Sequence, residues 1–382
     1  MIYFDNAATT GKKPETVIKA VVSALKNNCA NPGRSGHKLS VKTVDEIYKI
    51  REKTASFFGL NNAEKVIFTH NCTTSINMVL KGVLKRGDHI VVSSLEHNAV
   101  MRPLEKMRIP YSIAEVSLTD DNITAENFKK AIKPNTRMIF CTAASNVCGK
   151  ILPIEKIGEI CKEKGILFGV DAAQGAGVLP INMQKMNIDY LCVAAHKGLY
   201  APMSSGILLC KRDIENTIFE GGTGTGSLDF KHPNIIPEGF ESGTLSVPNI
   251  FGIGAGIDYV NQKGLEKIYK SELNLIKNIY FSLRNNPIFE LYTPEPLYQS
   301  YVPVLPFNLK GVSSEKTAAL LDEYNIAVRG GLHCAPSAHK VLKTAEKGAV
   351  RVSVATFNNE NEVSTFLNTI KSEKFIKNLI KN

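Results

Sequence analysis

The stretches ILFGVDAAQ at positions 166–174 and YLCVAAHK at positions 190–197 decide the fold of this chain. Each is a short apolar run that ends in polar, ionisable residues, which is typical of a buried parallel strand whose carboxyl end opens into a crevice. Open α/β sheets bind their ligands at such strand ends. We therefore expect Asp171 and Lys197 to lie near one another at a binding site.

Similar apolar runs recur along the chain and alternate with segments of helical periodicity. Helices are predicted over residues 16–26 and 42–58, and buried strands over residues 66–69, 90–92, 138–141, 167–170, 191–194 and 206–210. This alternation predicts a mainly parallel sheet wrapped by helices. A long helical pattern follows to residue 283, and the tail then mixes strands and helices at 289–292, 314–324 and 350–354. The tail predicts a smaller α+β domain.

An amine and a carboxylate at neighbouring strand ends are the two groups that pyridoxal phosphate needs. The amine forms a Schiff base with the cofactor, and the carboxylate keeps the pyridine nitrogen protonated. Lysines that follow strands are also common as solvated surface residues. The pair Asp171 and Lys197 by itself therefore leaves both interpretations open.

Length and composition narrow the class of protein. With 382 residues the chain exceeds the size at which one core keeps growing, so two domains are expected. No apolar run approaches the roughly 20 residues of a membrane span, and the N-terminus lacks the pattern of a signal peptide. We expect a soluble, cytoplasmic protein. The net charge of +10 comes from lysines spread along the whole chain, which favours a solvated surface over a nucleic-acid site.

The eight cysteines are expected to be free thiols in a reducing compartment. Cys141 and Cys148, the nearest pair, have no second pair behind them, so no metal site is predicted. We expect four others to be buried packing residues: Cys29, Cys161, Cys192 and Cys210.

Two glycine-rich stretches resemble nucleotide-binding loops but lack the required pattern. GIGAG at 252–256 puts Ile257 at the place of the last glycine and follows no strand, so we expect it to pack a helix closely. GGTGTG at 221–226 contains no lysine of a P-loop and is predicted to be a loop that borders the site.

Five further polar residues follow predicted strands. Thr73 and Thr74 open a helical run, where hydroxyls and free amides suit a phosphate, although an ordinary N-cap is the alternative. His97 could stack on a planar ring or be structural. Asn146 and Gln174 could hydrogen-bond the phenolic oxygen of the pyridine, and turn capping is the alternative for Asn146.

Seen together, these motifs resemble the cysteine desulfurase and selenocysteine lyase family, within the class V aminotransferase group of pyridoxal-phosphate enzymes. The resemblance covers nearly the whole chain. The matching motifs are YFDNAATT at 3–10, NCTT at 71–74, EHN at 96–98, DAAQ at 171–174, HK at 196–197, GT at 243–244 and RGGLHCAP at 329–336. It implies fold type I, with a large domain (14–255) on a mainly parallel seven-stranded sheet and a smaller α+β domain (1–13 and 256–382).

The resemblance also implies roles for single residues. Lys197 would be the Schiff-base lysine, Asp171 the partner of the ring nitrogen, and His97 the stacking ring. Cys334 would be the catalytic thiol and Arg351 the ligand of the substrate carboxylate. Thr73, Thr74 and His196 would bind the cofactor phosphate, and Thr244 would reach the phosphate of the partner subunit. Asn146 and Gln174 would contact the cofactor or the substrate.

One position departs from the family pattern. The family usually has a serine or threonine in its phosphate site where this chain has Ala194, so phosphate binding must rely more on the remaining groups. Arg329 and His333 would lower the pKa of the Cys334 thiol if they point towards it.

The implied activity is release of alanine from L-cysteine or L-selenocysteine by a homodimer, with a persulfide on Cys334 that a sulfur-acceptor protein could take up. Three alternatives stay open: a selenocysteine-specific lyase, a class V aminotransferase, and a non-catalytic relative with a binding role. Cys334 speaks against an aminotransferase, and the presence of Lys197, Asp171 and Arg351 speaks against a non-catalytic protein.

Overall fold

We describe the protein from a computed structural model, which covers residues 1–33, 35–224 and 228–381. Its strands are β1 (Ile2–Tyr3), β2 (Val66–Thr69), β3 (His89–Ser93), β4 (Tyr111–Ala114), β5 (Thr136–Thr142), β6 (Leu167–Asp171), β7 (Tyr190–Ala194), β8 (Gly206–Cys210), β9 (Phe289–Leu291), β10 (Val304–Leu309), β11 (Ile326–Ala327) and β12 (Val350–Ser353). Its α-helices are α1 (Glu15–Asn27), α2 (Lys38–Phe57), α3 (Cys72–Val83), α4 (Asn98–Met107), α5 (Asp121–Ala131), α6 (Ile154–Lys164), α7 (Val247–Lys263), α8 (Leu265–Arg284), α9 (Ser314–Glu323), α10 (Pro336–Val341), α11 (Glu360–Lys371) and α12 (Glu373–Lys381).

Seven strands form the main sheet, in the order β2-β8-β7-β6-β5-β3-β4. Strand β8 runs antiparallel to both of its neighbours, and the other pairs are parallel. The predicted α/β fold with a mainly parallel seven-stranded sheet is therefore confirmed. The edge strand β4 escaped the strand prediction because its sequence, Tyr-Ser-Ile-Ala, is only partly buried and has no continuous apolar run.

Helices cover both faces of this sheet. Apolar residues of α3 and α4 pack with one set of strand side chains, represented by Val92 and Cys192. The other set, represented by Ile139 and Leu191, packs with residues of α5, α6 and α7. Because both faces are covered, the polar strand ends are the place where the sheet can offer a site.

The predicted long helix that runs to residue 283 is two helices. Gly264, with φ of 82°, separates α7 from α8. The GIGAG stretch lies within α7 and packs closely, as expected. A Cβ on Gly256 would lie 1.8 Å from the carbonyl oxygen of Leu199, so only glycine fits there. Residues 221–224 of the second glycine-rich stretch lie outside helices and strands, and residues 225 and 226 are outside the described residues.

The smaller part of the chain has its own sheet, in the order β12-β10-β9, and a two-stranded pairing of β1 with β11. Its core joins the N-terminal arm to the tail, since Phe4 packs edge-on against Phe366 with ring centroids 5.7 Å apart. The boundaries at residues 14 and 256 stay a prediction.

The structure also bears on the expectations for the cysteines. Cys29 is exposed just beyond α1, so the prediction that it is a packing residue is wrong, whereas Cys161, Cys192 and Cys210 are buried. All eight cysteines are free thiols. Within the described residues, no helix is long and apolar enough to cross a membrane, and no group of acidic, cysteine or histidine side chains is arranged to hold a metal ion.

Candidate active site

The carboxylate and the amine of the central motif lie at neighbouring strand ends. Asp171 is the last residue of β6 and is 4% exposed. Lys197 follows the end of β7 by three residues and is partly buried. Burial, reinforced by the positive charge of Arg351 and opposed by that of Asp171, lowers the pKa of Lys197 to about 8. An amine with such a pKa is neutral in a substantial fraction of molecules near neutral pH, as a nucleophile or base must be.

Hydrogen bonds fix one oxygen of the Asp171 carboxylate. Its Oδ1 accepts from the backbone amide of Ala173 at 2.9 Å and from the Cys72 thiol at 3.4 Å. No described residue donates to Oδ2. A buried carboxylate with one free oxygen can accept a proton donor from a ligand.

His97 is the N-cap of α4 and lies at the same edge of the sheet as Asp171 and Lys197. Its Nδ1 accepts a hydrogen bond from the Ala99 amide at 3.0 Å, which fixes the ring. Burial lowers the pKa of His97; Asp171 opposes this shift, and Lys197 and Arg329 add to it. The ring is therefore neutral at pH 7 and is within electrostatic range of the other predicted site residues.

The first turn of α3 supplies the predicted phosphate hydroxyls. Asn71 is the N-cap, and its Oδ1 accepts from the Thr74 amide at 2.9 Å and from the Thr74 hydroxyl at 3.1 Å. Thr73 is exposed, and no described residue bonds its hydroxyl. The alternative that these threonines form the N-cap is therefore wrong, because Asn71 is the N-cap and both threonines lie inside the first turn, where Thr73 carries the free hydroxyl of the pair.

The N-terminal arm holds the turn that carries Lys197. The carbonyl oxygen of His196 accepts from the Thr10 hydroxyl at 3.0 Å and from Lys13 Nζ at 3.0 Å. His196 Nδ1 lies 3.0 Å from the Thr9 hydroxyl, and burial lowers the pKa of His196 to about 4. Gln174 also contacts this arm, because its side-chain amide donates a hydrogen bond to the carbonyl oxygen of Ala7 at 2.9 Å.

The loop that carries Cys334 crosses to the large sheet. The Asn98 amide donates to the carbonyl oxygen of Cys334 at 2.8 Å, and Asn146 Nδ2 donates to that of His333 at 2.8 Å. His333 and Cys334 both have left-handed backbones, with φ of 51° and 56°. Consecutive non-glycine residues in this region are unfavourable, so the loop is held by its contacts and presents an exposed thiol.

His333 does not supply the positive charge expected beside the thiol. Its ring nitrogens are 3.2 Å from His339 Nε2 and 3.2 Å from the carbonyl oxygen of Arg329. Burial, with Arg351 adding to the effect, lowers the pKa of His333 to about 3. A buried, neutral imidazole leaves Arg329 as the cationic residue of the RGGLHCAP loop.

Arg351 is buried beneath this loop. It is 1% exposed, its Nη2 lies 2.6 Å from Asp5 Oδ1, and its Nη1 donates to the carbonyl oxygen of Asn146 at 2.9 Å. Its Nε is buried and has no partner among the described residues. Buried donors are normally paired, so this unpaired donor favours a carboxylate ligand.

Thr244 is exposed and stands apart from these contacts. With Thr74 it lines a cavity of about 390 Å³ that also borders the loop at residues 219–222. The structure thus brings together the backbone segments that carry Asp171, Lys197, His97, Asn146, Gln174, His196, Cys334 and Arg351, and none of these eight residues lines the cavity that contains Thr244.

These residues fit pyridoxal phosphate. Asp171 Oδ2 is free to accept from the pyridine nitrogen, Lys197 has a pKa suited to forming a Schiff base, and Thr73 offers a free hydroxyl at a helix start. His97 is held by its hydrogen bond to the Ala99 amide, and its planar ring could stack on the cofactor. The replacement of a hydroxyl by Ala194 leaves the rest of this donor set in place.

Sequence reasoning missed three residues of the site. Asp5 pairs with Arg351, Lys13 bonds the His196 carbonyl, and Cys72 bonds Asp171. Asp5 and Cys72 lie inside the motifs YFDNAATT and NCTT, so their membership of these motifs could have identified them. No motif includes Lys13, because only folding brings it to the turn at Lys197.

Comparisons with known proteins show which sequences and folds this chain resembles. A family model described as aminotransferase class V matches residues 2–366. The chain is 31% identical to a cysteine desulfurase of Wigglesworthia glossinidia brevipalpis, and the match covers 99% of this chain and 94% of the relative. The apo structure of a cysteine desulfurase from Thermococcus onnurineus NA1 is similar with a TM-score of 0.89 and 32% identity, covering 99% and 95% of the two chains. The structure of a cysteine desulfurase from Escherichia coli is similar with a TM-score of 0.85 and 25% identity, again covering 99% of this chain and 95% of the other.

Proposed function

Because the chain belongs to the class V aminotransferase family and, within it, to the cysteine desulfurases, we propose that it uses pyridoxal phosphate to release alanine from L-cysteine and holds the sulfur on Cys334. One observation supports this proposal. The backbone of the Cys334 loop accepts hydrogen bonds from the Asn98 amide, next to His97, and from the Asn146 side chain, so the loop is tied to the edge of the large sheet that carries Lys197 and Asp171.

Lys197 is the proton-moving residue in this proposal. Its lowered pKa keeps a share of neutral amine that can take the α-proton of the substrate and return a proton later. The cofactor, when bound to this lysine, supplies an electron sink for the bonds around the substrate α-carbon. Asp171, buried and bonded through one oxygen, holds the proton on the ring nitrogen that this sink requires.

Cys334 performs the sulfur step. As a thiolate it attacks the substrate sulfur: a sulfur–sulfur bond forms, the bond between that sulfur and the β-carbon breaks, and its electron pair stays with the carbon, which takes up a proton and becomes the alanine methyl group. A persulfide remains on Cys334. Because Cys334 is exposed, a reductant or an acceptor protein can reach it.

Arg351 binds the substrate carboxylate in this scheme. Its Nη2 is engaged by Asp5 and its Nη1 by Asn146, and its Nε is the donor without a partner in the described chain. A carboxylate at Nε would give this buried donor a partner. Asn146, already bonded to Arg351 and to the Cys334 loop, would orient the substrate between them.

A homodimer and a cytoplasmic location belong to the same proposal. Exposed Thr244 would reach the phosphate of the partner subunit, and α1 presents an exposed apolar stripe of Ile18, Val22 and Leu25. Free thiols throughout suit a reducing compartment. Sedimentation would test the dimer: a monomer at micromolar concentration that binds the cofactor fully contradicts it.

The decisive test of the activity uses Cys334→Ala with both candidate substrates. We expect alanine and sulfide from L-cysteine with a reductant, loss of this activity in Cys334→Ala, and an unchanged cofactor spectrum. Turnover of L-selenocysteine that survives in the variant indicates a selenium-directed enzyme. Nitrogen exchange between an amino acid and a keto acid, without alanine from either substrate, replaces the proposal with an aminotransferase.

A further inference from the structure

Glu272 is a buried carboxyl group that the proposed mechanism leaves unused. It lies on α8, is 3% exposed, and forms no ion pair with any basic residue that the structure describes. An ionised carboxylate without a cation is costly to bury, so such a group holds its proton. Burial raises the pKa of Glu272 to about 8, although bonds from Tyr200 and the Thr356 backbone oppose the shift.

Glu272 is connected to the turn that carries Lys197. The Tyr200 hydroxyl donates to Glu272 Oε1 at 3.3 Å, and the Tyr200 amide donates to the carbonyl oxygen of Lys197 at 2.9 Å. The Tyr200 ring is held edge-on by Tyr259, with centroids 5.2 Å apart. Tyr200 also has a left-handed backbone, with φ of 55°, so packing rather than backbone preference fixes its position.

Lys197 and Glu272 both line one small cavity. It has a volume of about 40 Å³, and its lining includes Lys197, Glu272, Tyr200, Gln174 and Thr10. A polar cavity holds a water molecule when it offers about 10–15 Å³ and two to four polar partners. This cavity meets both conditions, so water can bridge Lys197 and Glu272.

We propose that Glu272 is an internal proton reservoir for Lys197, reached through water in this cavity and through the Tyr200 hydroxyl. The transfer moves one proton and no electrons: the neutral carboxyl of Glu272 and the Lys197 amine become carboxylate and ammonium, and the reverse step restores them. Glu272 affects the reaction only by exchanging a proton with Lys197. It is not a catalytic residue, because in this proposal it contacts neither substrate nor cofactor. The inference rests on the proposed role of Lys197.

The energetics favour such an exchange. The pKa of Lys197 is lowered to about 8 and that of Glu272 is raised to about 8, so little free energy separates the two protonation states. The other titratable side chains that face Glu272 are Tyr200 and Tyr259, whose pKa values burial raises. Both tyrosines stay neutral over the same pH range and can only relay a proton.

The first experiment measures protonation in the apoprotein and requires no turnover. Difference infrared spectroscopy over pH 6 to 10 should show a protonated carboxyl that titrates near pH 8 and is missing in Glu272→Gln. Glu266→Gln, on the same helix but exposed and paired with Lys270, is the matched control and should keep the band. A spectrum without any Glu272-dependent band at pH 7 overturns the proposal.

The second experiment isolates the proton step with L-alanine, which contains no sulfur for Cys334 to remove. Exchange of its α-hydrogen in D2O, followed by NMR in the holoenzyme, should slow by about tenfold in Glu272→Gln, while Glu272→Asp restores part of the rate. Tyr200→Phe, which removes one oxygen from the cavity and keeps the ring, should also slow exchange. Wild-type exchange rates in Glu272→Gln and Tyr200→Phe overturn the proposal.

The two proposals can fail separately. Desulfuration of L-cysteine with exchange that is independent of Glu272 removes only the reservoir. Glu272-dependent exchange of L-alanine without desulfuration removes only the desulfurase assignment. Should Glu272→Gln not fold, the infrared titration of the unmodified protein, compared with Glu272→Asp, decides the protonation state, and a single ionised state across the titration overturns the reservoir.

Discussion

Arg351 Nη2 and Asp5 Oδ1 form an ion pair of 2.6 Å that links the N-terminal arm to β12 beneath the Cys334 loop. The arginine side chain is 1% exposed and the aspartate side chain 21%. Removing one partner of such a pair leaves a buried charge without compensation. The N-terminal arm is therefore part of the site, although Asp5 and Arg351 are more than 300 positions apart in the sequence.

Asp5→Asn should lower the free energy of unfolding by about 1–3 kcal/mol, because Arg351 loses its counter-charge and keeps its burial. Urea denaturation of the holoprotein measures this loss. Asp45→Asn, an exposed aspartate on α2, is the control and should change stability by less than about 0.5 kcal/mol. Equal stability of both variants contradicts the structural role of the ion pair.

Arg351→Lys should raise the KM for L-cysteine by about tenfold or more, with a smaller effect on kcat. Lysine keeps the positive charge but cannot bond Asp5, Asn146 and a carboxylate in the planar geometry of arginine. Steady-state kinetics with saturating cofactor separates the two constants. A KM within twofold of the unmodified protein would show that another group binds the carboxylate.

Lys197 gives a prediction for pH dependence. Schiff-base formation requires the neutral amine, and burial lowers the pKa of Lys197 to about 8. Below that pH the ammonium predominates, so the association rate of pyridoxal phosphate with the apoprotein should fall about tenfold per pH unit, and above it the rate should level off. A midpoint near the ordinary lysine value of 10.5 contradicts the lowered pKa.

The control for this experiment is Lys13, whose pKa burial also lowers to about 8. Lys13→Arg keeps a cation at the His196 carbonyl and removes the competing amine, so it should leave the pH profile unchanged. Lys197→Ala should abolish the Schiff-base absorbance altogether.

Asn146→Ala should loosen the Cys334 loop, because it removes the bond of 2.8 Å to the His333 carbonyl. One hydrogen bond contributes about 1 kcal/mol, so amides in this loop should exchange with solvent roughly five times faster in the apoprotein. Hydrogen exchange with mass spectrometry measures the effect. Asn127→Ala, which removes a similar bond to the Glu115 carbonyl far from the site, should leave this loop unchanged.

The sequence predicted those parts of the fold and site that depend on local pattern. The apolar runs predicted β6 and β7 and placed Asp171 and Lys197 at one sheet edge, because both strands are buried on two faces. It did not predict β4, whose edge position removes the apolar pattern. The pairing of Asp5 with Arg351 and the position of Glu272 depend on long-range packing, which leaves no local signal.

His333 illustrates the same limit at the level of charge. A histidine next to a catalytic cysteine was expected to favour the thiolate, but its contribution depends on direction and burial. The ring bonds His339 and the Arg329 carbonyl, and burial lowers its pKa to about 3. Only the folded chain decides which neighbour of Cys334 carries a charge.

Gly256→Ala should destabilise the protein, although alanine is the better helix former. In the interior of α7 the substitution would gain about 1 kcal/mol of helix propensity. A Cβ at this position would lie 1.8 Å from the Leu199 carbonyl oxygen, a backbone atom that cannot rotate away. Overpacking of this kind costs typically 1–3 kcal/mol or more, so the clash should outweigh the gain.

The effect should also reach the site, because Leu199 lies two residues after Lys197 in the same turn. We expect the variant to unfold at lower urea concentration and to bind pyridoxal phosphate more weakly than the unmodified protein, as measured by denaturation of the apoprotein and by spectroscopic titration. Gly36→Ala is the control, since its Cβ would meet no atom within 4 Å and its φ is not positive. If Gly256→Ala were as stable as Gly36→Ala and bound the cofactor with unchanged affinity, close packing of α7 on the Lys197 turn would not be what positions the lysine.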